Sequence, residues 1–345
     1  MYFFNKKGVT GLGARITAIG TYVPERILSN FDLESMVDTS NEWIIKRTGI
    51  HERRISRPDE FTSDLCVAAV NNLVYRYNKD LSDVDMIIVA TSTPDFPFPS
   101  VASLIQNRLN IPQAGCIDLS AACAGFVYTL HTAHCYIKSG LHKKILVLGA
   151  DTLSKITDYS DRNTCILFGD GAGAVLVETD DQVDNFIAFH LGSDGSGAKH
   201  VYRTGLANKI DGTALTDTPY LVQNGREVFK WVVKNIPGCI NELMDKAHSN
   251  LDKVDWFIPH SANLRLIEPI CEKLEYPMEK TLHSLVYFGN TSSASIPLAF
   301  DLGIREGKVK KRDRVLLYGF GSGLVHAGQL LEVDLDQPVN YSDPL

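Results

Sequence analysis

Short apolar runs alternate with longer mixed stretches along most of the chain. "DMIIVATS" (85–92), "KILVLGA" (144–150) and "AVLVE" (174–178) are compact and rich in Val and Ile, which predicts buried strands. "SDLCVAAVNNLVYRY" (63–77) and "FVYTLHTAHCYIKSG" (126–140) are longer and predict helices. Strands alternating with helices imply an α/β fold in which helices cover a sheet.

The same pattern recurs once. "VDMIIVATS" from Val84 is matched by "VDWFIPHSA" from Val254, and "ILVLG" from Ile145 by "VLLYG" from Val315, both at an offset of 170. "LNIP" ending at Pro112 is matched by "LEYP" ending at Pro277 (offset 165), and "ITAIG" ending at Gly20 by "IAFHLG" ending at Gly192 (offset 172). Four matches in order predict two similar halves, with a period too long for a solenoid. The expected divisions are an extension over 1–13, a first half over 14–184, and a second half over 185–345 that ends in a short extended tail. At an offset of 167, Cys123 in "DLSAACAGF" pairs with Asn290 in "YFGNTSSAS". Both would then start helices and face each other across a pseudo-twofold axis. "WFIPHSAN" adds His260 and Asn263 just past a strand end, where open α/β sheets place their sites.

Taken singly, these residues have ordinary readings. Cys123 fits a packed, buried thiol, His260 a satisfied histidine, Asn290 a helix cap and Asn263 a turn residue. Together they fit nucleophilic catalysis. A thiol at a helix N-terminus feels the positive end of the dipole, which favours thiolate. A thiolate can take an acyl group from a thioester, while His and Asn donate hydrogen bonds to an enolate oxygen.

Composition narrows the setting. The 345 residues are 44% hydrophobic and 22% charged with a net charge of −7, which speaks against a broad nucleic-acid footprint. Seven cysteines, an odd number with no CxxC pair, fit a reducing compartment. The N-terminus lacks a signal-peptide pattern, and no run of 18 apolar residues offers a membrane span. A cytoplasmic protein is expected.

"DLSAACAGF", "PHSANLRLIE" and "YFGNTSSAS" resemble the β-ketoacyl-[acyl-carrier-protein] synthase III family of thiolase-fold condensing enzymes. "TSNEWIIKRTGIHERRI" (39–55), "TDYSDRNTCILFGDGAGAVLVE" (157–178) and "NGREVFKW" (224–231) match it as well, so the resemblance runs over about residues 14–332. It implies an α/β, thiolase-like fold of two pseudo-symmetric βαβαβαβ-type halves forming a layered αβαβα core. It implies an acyltransferase that condenses an acyl-CoA primer with malonyl-acyl carrier protein, releasing CO₂ and CoA, without a metal or other cofactor. Related condensing enzymes of specialised metabolism and an inactive acyl-binding paralogue are the alternatives.

The resemblance also assigns residues. Cys123 would be acylated, His260 and Asn290 would promote decarboxylation, and the N–H groups of Cys123 and Gly321 would form the oxyanion hole. Trp43 and Arg162 would sandwich the CoA adenine, with Thr39 beside it, Arg47 on the phosphates and Asn263 on the pantetheine tunnel. Leu153, Ile166 and Phe168 would line the acyl pocket, and Phe98 would enter it from the second subunit of a homodimer. Arg265, Lys230 and Lys273 would meet the acidic carrier protein. "GDGAGA" (169–174) lacks dinucleotide or P-loop spacing and reads as tight strand packing, and "HTAH" (131–134) has no third ligand for a zinc site. Ser322 and His326 depart from the family, which usually has Gly and an aromatic residue there.

Overall fold

The computed structural model describes residues 12–340; residues 1–11 of the expected extension and 341–345 of the tail lie outside the described residues. Strands β1 (Gly13–Tyr22), β2 (Met86–Ala90), β3 (Gly115–Leu119), β4 (Lys144–Thr152) and β5 (Asp170–Asp180) form one mixed sheet in the order β1-β5-β4-β2-β3. Strands β6 (Phe186–Ser193), β7 (Trp256–Pro259), β8 (Arg314–Gly321) and β9 (Val325–Glu332) form a second, in the order β6-β9-β8-β7. Beyond β7, Phe257 makes a single parallel bridge to Thr281, where the first sheet has β3. From β1 and from β6 outward, the pairings run antiparallel, antiparallel, parallel and parallel in both sheets. The two halves thus share one topology.

Helices α1 (Asn41–Thr48), α2 (Thr62–Tyr77), α3 (Val101–Arg108), α4 (Gly125–Lys138), α5 (Gly225–Lys246), α6 (Leu264–Leu274) and α7 (Ser295–Arg305) complete the frame used below. α4 and α7 lie between the sheets and touch both; α2 and α3 cover the first sheet, and α5 the second with α6 packed against it. This gives five layers. All nine residues of β4 are buried. Such a strand has no solvent face, which is why "KILVLGA" reads as a continuous apolar run rather than an alternating one.

The central helices each begin from a 3-10 turn, Ala122–Ala124 before α4 and Ser292–Ala294 before α7. Ala122 and Ser292, 170 residues apart, both take left-handed backbone, with φ of 45° and 50°. Non-glycine residues there carry strain of about 1–3 kcal/mol, the kind concentrated at functional sites. These turns correct the expected pairing: the counterpart of Cys123 is Ser293, not Asn290. An offset of 167 slips three residues from the register that the backbone keeps.

Each turn rests on a glycine of the other half. A Cβ on Gly149 would stand 2.5 Å from the Ser293 carbonyl oxygen, and one on Gly319 would stand 2.7 Å from Ala124 Cα. Gly173 in "GDGAGA" similarly clears Pro297 of α7, whose Cβ would lie 2.4 Å from an added Cβ. That stretch is strand packing, as its spacing implied.

Candidate active site

Cys123, His260 and Asn290 line one cavity of about 460 Å³ between the halves. Each arrives by a different route. Cys123 sits in the turn that opens α4, His260 follows β7 directly, and Asn290 precedes the turn that opens α7. Asn290 is also fixed across the halves. Its N–H donates to the Leu167 carbonyl (2.8 Å), and its own carbonyl accepts from Gly169 N–H (3.1 Å). Arg53, fully buried, secures that loop by donating to the Ile166 carbonyl (2.6 Å).

Hydrogen bonds fix the role of each polar group. Asn290 Oδ1 accepts from Ser292 N–H at 2.9 Å, so its amide nitrogen is the group left to donate. His260 Nδ1 lies 2.7 Å from Ser295 Oγ, which also accepts from Ser261 N–H at 3.3 Å. The Ser295 hydroxyl hydrogen is then free to donate to Nδ1, which puts the imidazole proton on Nε2. Burial lowers the His260 pKa to about 3, so the ring is neutral across the physiological range. His260 and Asn290 therefore offer two uncharged donors.

Burial pushes the Cys123 thiol up to about 12; a hydrogen bond with Ser292 and one from its own N–H oppose this, and the Asp151 carboxylate adds to it. The resting group is a thiol, and the helix start alone does not make it a thiolate. Gly321 closes in beside it: a Cβ there would meet Cys123 N at 2.8 Å. The Gly321 backbone is thereby packed directly against the backbone and Cβ of Cys123. Phe320, the residue before Gly321, packs edge-on against His260 with ring centres 5.4 Å apart.

A wider chamber of about 830 Å³ leads outward and shares Leu167, Tyr202, Gln223, Val228, Asn263 and Leu266 with the inner one. Trp43, Arg47 and Arg265 line it, and Arg162 lies over the Trp43 ring at 4.5 Å. That spacing leaves no room for a base between them, so the arginine must lift for one to enter. Asn263 caps α6 by accepting from Leu266 N–H (3.1 Å) while it lines both chambers. Leu153 and Phe168 wall the inner cavity, whereas Ile166 lies on the outer one. Thr39 lines neither, and its buried hydroxyl has no partner among the described residues. Phe98 is 86% exposed and touches neither chamber.

Of the expected carrier contacts, only Arg265 borders the chamber. Lys230 pairs with Glu227 (2.6 Å), and Lys273 donates to the Val233 carbonyl (2.9 Å). Sequence reasoning missed Lys199 and Arg226, which join Arg47 and Arg265 in giving the outer chamber four cations against one carboxylate, Asp161. The signal was present in "NGREVFKW", which matched the family without any role being drawn from its arginine. Ser292 and Ser295, which contact Asn290 and His260, had no role drawn from the sequence. Ser322 ties the cavity wall to the segment above it, donating to the Val201 carbonyl at 2.5 Å.

The chain matches the 3-oxoacyl-[acyl-carrier-protein] synthase III family over residues 117–195 and that family's C-terminal part over residues 244–333. It is 62% identical to a β-ketoacyl-[acyl-carrier-protein] synthase III 2 of Halalkalibacterium halodurans, over 92% of this chain and 96% of that one. The protein of the same name in Bacillus subtilis is 54% identical over 92% of this chain and 98% of its own. Among solved structures, the synthase III of Thermus thermophilus superposes with a TM-score of 0.90 at 44% identity, covering 93% of this chain and 99% of that one.

Proposed function

The chain belongs to the 3-oxoacyl-[acyl-carrier-protein] synthase III family, and from that premise we propose how its own residues carry out the family's reaction. The protein is an acyltransferase that condenses an acyl-CoA primer with malonyl-acyl carrier protein and so initiates fatty acid elongation. Relatives at 54–62% identity over most of the chain favour this over a specialised pathway.

The acyl-CoA enters by the outer chamber. Arg162 lifts from Trp43 and the adenine takes its place between them, held by stacking and cation–π attraction. Arg47, Lys199 and Arg226 meet the phosphates, and the pantetheine arm passes Asn263 to the inner cavity. Cys123 Sγ attacks the thioester carbonyl; the new C–S bond forms, the bond to CoA breaks, and CoA leaves as the thiol with the proton Cys123 gives up. The N–H groups of Cys123 and Gly321 hold the oxyanion during this transfer. The acyl chain lies against Leu153 and Phe168.

Malonyl-acyl carrier protein follows. Loss of CO₂ leaves an enolate, whose oxygen takes hydrogen bonds from His260 Nε2–H and the Asn290 amide. Its carbon attacks the acyl-Cys123 carbonyl, the C–S bond breaks with its electron pair on Sγ, the Cys123 thiolate takes a proton from solvent, and the β-ketoacyl product leaves on the carrier. Decarboxylation supplies the carbanion, so neither donor needs a charge, in keeping with the low pKa of His260. Nothing in this course calls for a cofactor beyond the two thioester carriers.

Partners and setting follow from the same reading. The cationic rim suits an acidic carrier protein, with Arg265 as its first contact and with Lys230 and Lys273 further out. β3 is an edge strand among the described residues, and exposed Phe96 and Phe98 lie just before α3, the helix that packs on it. A second copy pairing there would cover them and complete a homodimer. No helix among the described residues is long and apolar enough to cross a membrane, and all seven cysteines are free, in keeping with a cytoplasmic site.

One observation carries the proposal: Cys, His and Asn meet in a single buried cavity at the end of a cationic entrance. The deciding experiment incubates the protein with radiolabelled short-chain acyl-CoA and maps the label. A covalent adduct on Cys123 that is absent from Cys123→Ser supports it. A folded wild-type protein that takes no label at Cys123 overturns it.

A further inference from the structure

Another set of chemistry-bearing side chains lies outside both chambers, where α5 covers the second sheet. His190 on β6, Cys239 on α5 and His326 on β9 each present one ligand atom, and these atoms lie within 4.8 Å of one another. The two histidines are buried and the cysteine is half-buried. The condensation uses none of them.

The three donors stand within reach of one tetrahedral ion. Bonds of about 2.1 Å to nitrogen and 2.3 Å to sulfur, at a tetrahedral angle, separate the donors by about 3.6 Å. Cys239 Sγ lies 3.8 Å from His326 Nε2. The same bonds to two imidazoles put the ring centres about 5 Å apart, and those of His190 and His326 are 5.4 Å apart. Gly192 makes the room: a Cβ there would collide with His326 Nε2 at 2.3 Å.

The surroundings suit ligation. Burial keeps His326 neutral, with its pKa lowered to about 4, and also lowers that of His190. The Tyr318 hydroxyl lies 2.9 Å from His326 Nδ1, so when Nδ1 carries the proton and donates to that oxygen, Nε2 is left for an ion. Glu242 Oε2 stands 3.6 Å from His190 Nδ1 on an exposed side chain. Lys246 Nζ, on an exposed residue, lies 3.2 Å from the same nitrogen and would have to move aside for an ion bound there.

We propose that His190, Cys239 and His326 bind one borderline-soft divalent metal ion, Zn²⁺ or Co²⁺, with the Glu242 carboxylate or a water as fourth ligand. Binding converts the Cys239 thiol to thiolate and releases its proton. The ion joins α5 to β6 and β9. In register, His326 faces Phe320, the residue that packs on His260 and precedes Gly321. The site therefore lies one strand position from the oxyanion hole.

The test titrates Co²⁺ into chelator-treated full-length protein. The expected result is one ion per chain, with a near-ultraviolet thiolate-to-cobalt band and the intense visible bands of tetrahedral cobalt. Cys239→Ser should abolish the near-ultraviolet band. His326→Phe, which keeps an aromatic ring, should weaken binding by about tenfold or more. Cys123→Ser and Cys135→Ser should leave both bands in place; Cys135 is the control because its Sγ lies 3.5 Å from His131 Nε2. The proposal fails if no saturable tetrahedral spectrum develops, or if the bands survive Cys239→Ser or vanish with Cys135→Ser or Cys123→Ser. Circular dichroism checks each fold, and should Cys239→Ser unfold, His326→Phe decides.

Discussion

Replacing Gly321 by alanine tests whether two backbone N–H groups hold the oxyanion beside Cys123. The added Cβ would stand 2.8 Å from Cys123 N, 3.0 Å from Cys123 Cβ and 3.3 Å from Ala122 Cβ. The 2.8 Å approach is one that Cβ atoms essentially never show, and all three atoms belong to a turn already held in strained backbone at Ala122. The strand and the turn must therefore part by about 0.5 Å, the whole tolerance of a working constellation. Losing one oxyanion donor outright costs about 10²–10³ in rate. A donor displaced this far should cost about 10- to 100-fold in acylation of Cys123. Gly321 is not in left-handed backbone, so alanine suits its own conformation and its pairing with Val325 can persist. The melting temperature should therefore move by only a few degrees, and KM for acyl-CoA should hardly change. Rapid-quench measurement of label transfer to Cys123 reads the rate, and calorimetry reads the fold. Acylation within threefold of wild type, with the fold intact, would remove Gly321 from the oxyanion hole.

Ser295→Ala removes the hydroxyl that holds His260 Nδ1; a lost hydrogen bond of about 1 kcal/mol predicts malonyl decarboxylation slowed about fivefold at unchanged KM. Equal decarboxylation rates would show that the tautomer is set elsewhere. Arg162→Ala strips the face of Trp43, and a cation–π contact of about 0.5–2 kcal/mol predicts KM for acyl-CoA raised about 2- to 30-fold with kcat nearly constant; a fall in kcat at unchanged KM would contradict the clamp. His260 has a folded pKa of about 3, below the usual histidine value of about 6.5, so the unfolded chain binds the extra proton between these values. Its contribution to stability is intact above pH 6.5 and is lost as pH falls toward 3. Denaturant titrations of wild type and His260→Ala should differ in slope by up to about 1.4 kcal/mol per pH unit in that window, and identical slopes would mean a solvated, protonatable ring.

The repeat and the two α/β halves were legible because buried strands must be apolar on both faces, and "MIIVA" and "ILVLGA" announce that without any tertiary information; the layering of those halves came only from the motif resemblance. The fifth strand of the second sheet was not legible: it shrinks to one bridge at Thr281, and a single bridge leaves no periodicity. Strand ends and motif resemblance singled out Cys123, His260 and Asn290, which the structure brings to one cavity. The pairing of Cys123 with Asn290 went wrong because sequence alignment across a loop has no means of sensing that Ala122 and Ser292 share a backbone conformation. Ser295 was invisible for a related reason. Its function lies in one hydrogen bond to a histidine 35 residues away, and a serine among serines gives no sign of that.

The corrected register also explains why chemistry occupies one side of the axis. At an offset of 170, Gly321 corresponds to Asp151 and Cys123 to Ser293. The Asp151 carboxylate takes hydrogen bonds from both the hydroxyl and the N–H of Ser293, and from Thr91, Ser92 and Thr93. In that copy the space beside the turn is filled by a satisfied acid. A carboxylate at 321 would set a negative charge at the proposed oxyanion hole, and glycine leaves the space open. The donors divide the same way. His260 and Ser295 correspond to Ala90 and Gly125, where a Cβ on Gly125 would meet Ala90 Cβ at 2.7 Å. A hydroxyl-bearing side chain at 125 has no room, and a histidine at 90 would have no serine to hold it. On the roles proposed above, the first half carries the nucleophile and the second carries its donors and the hollow beside it. Neither half alone would then assemble the site, and the docking of each turn on the other half's glycine would serve catalysis as well as packing.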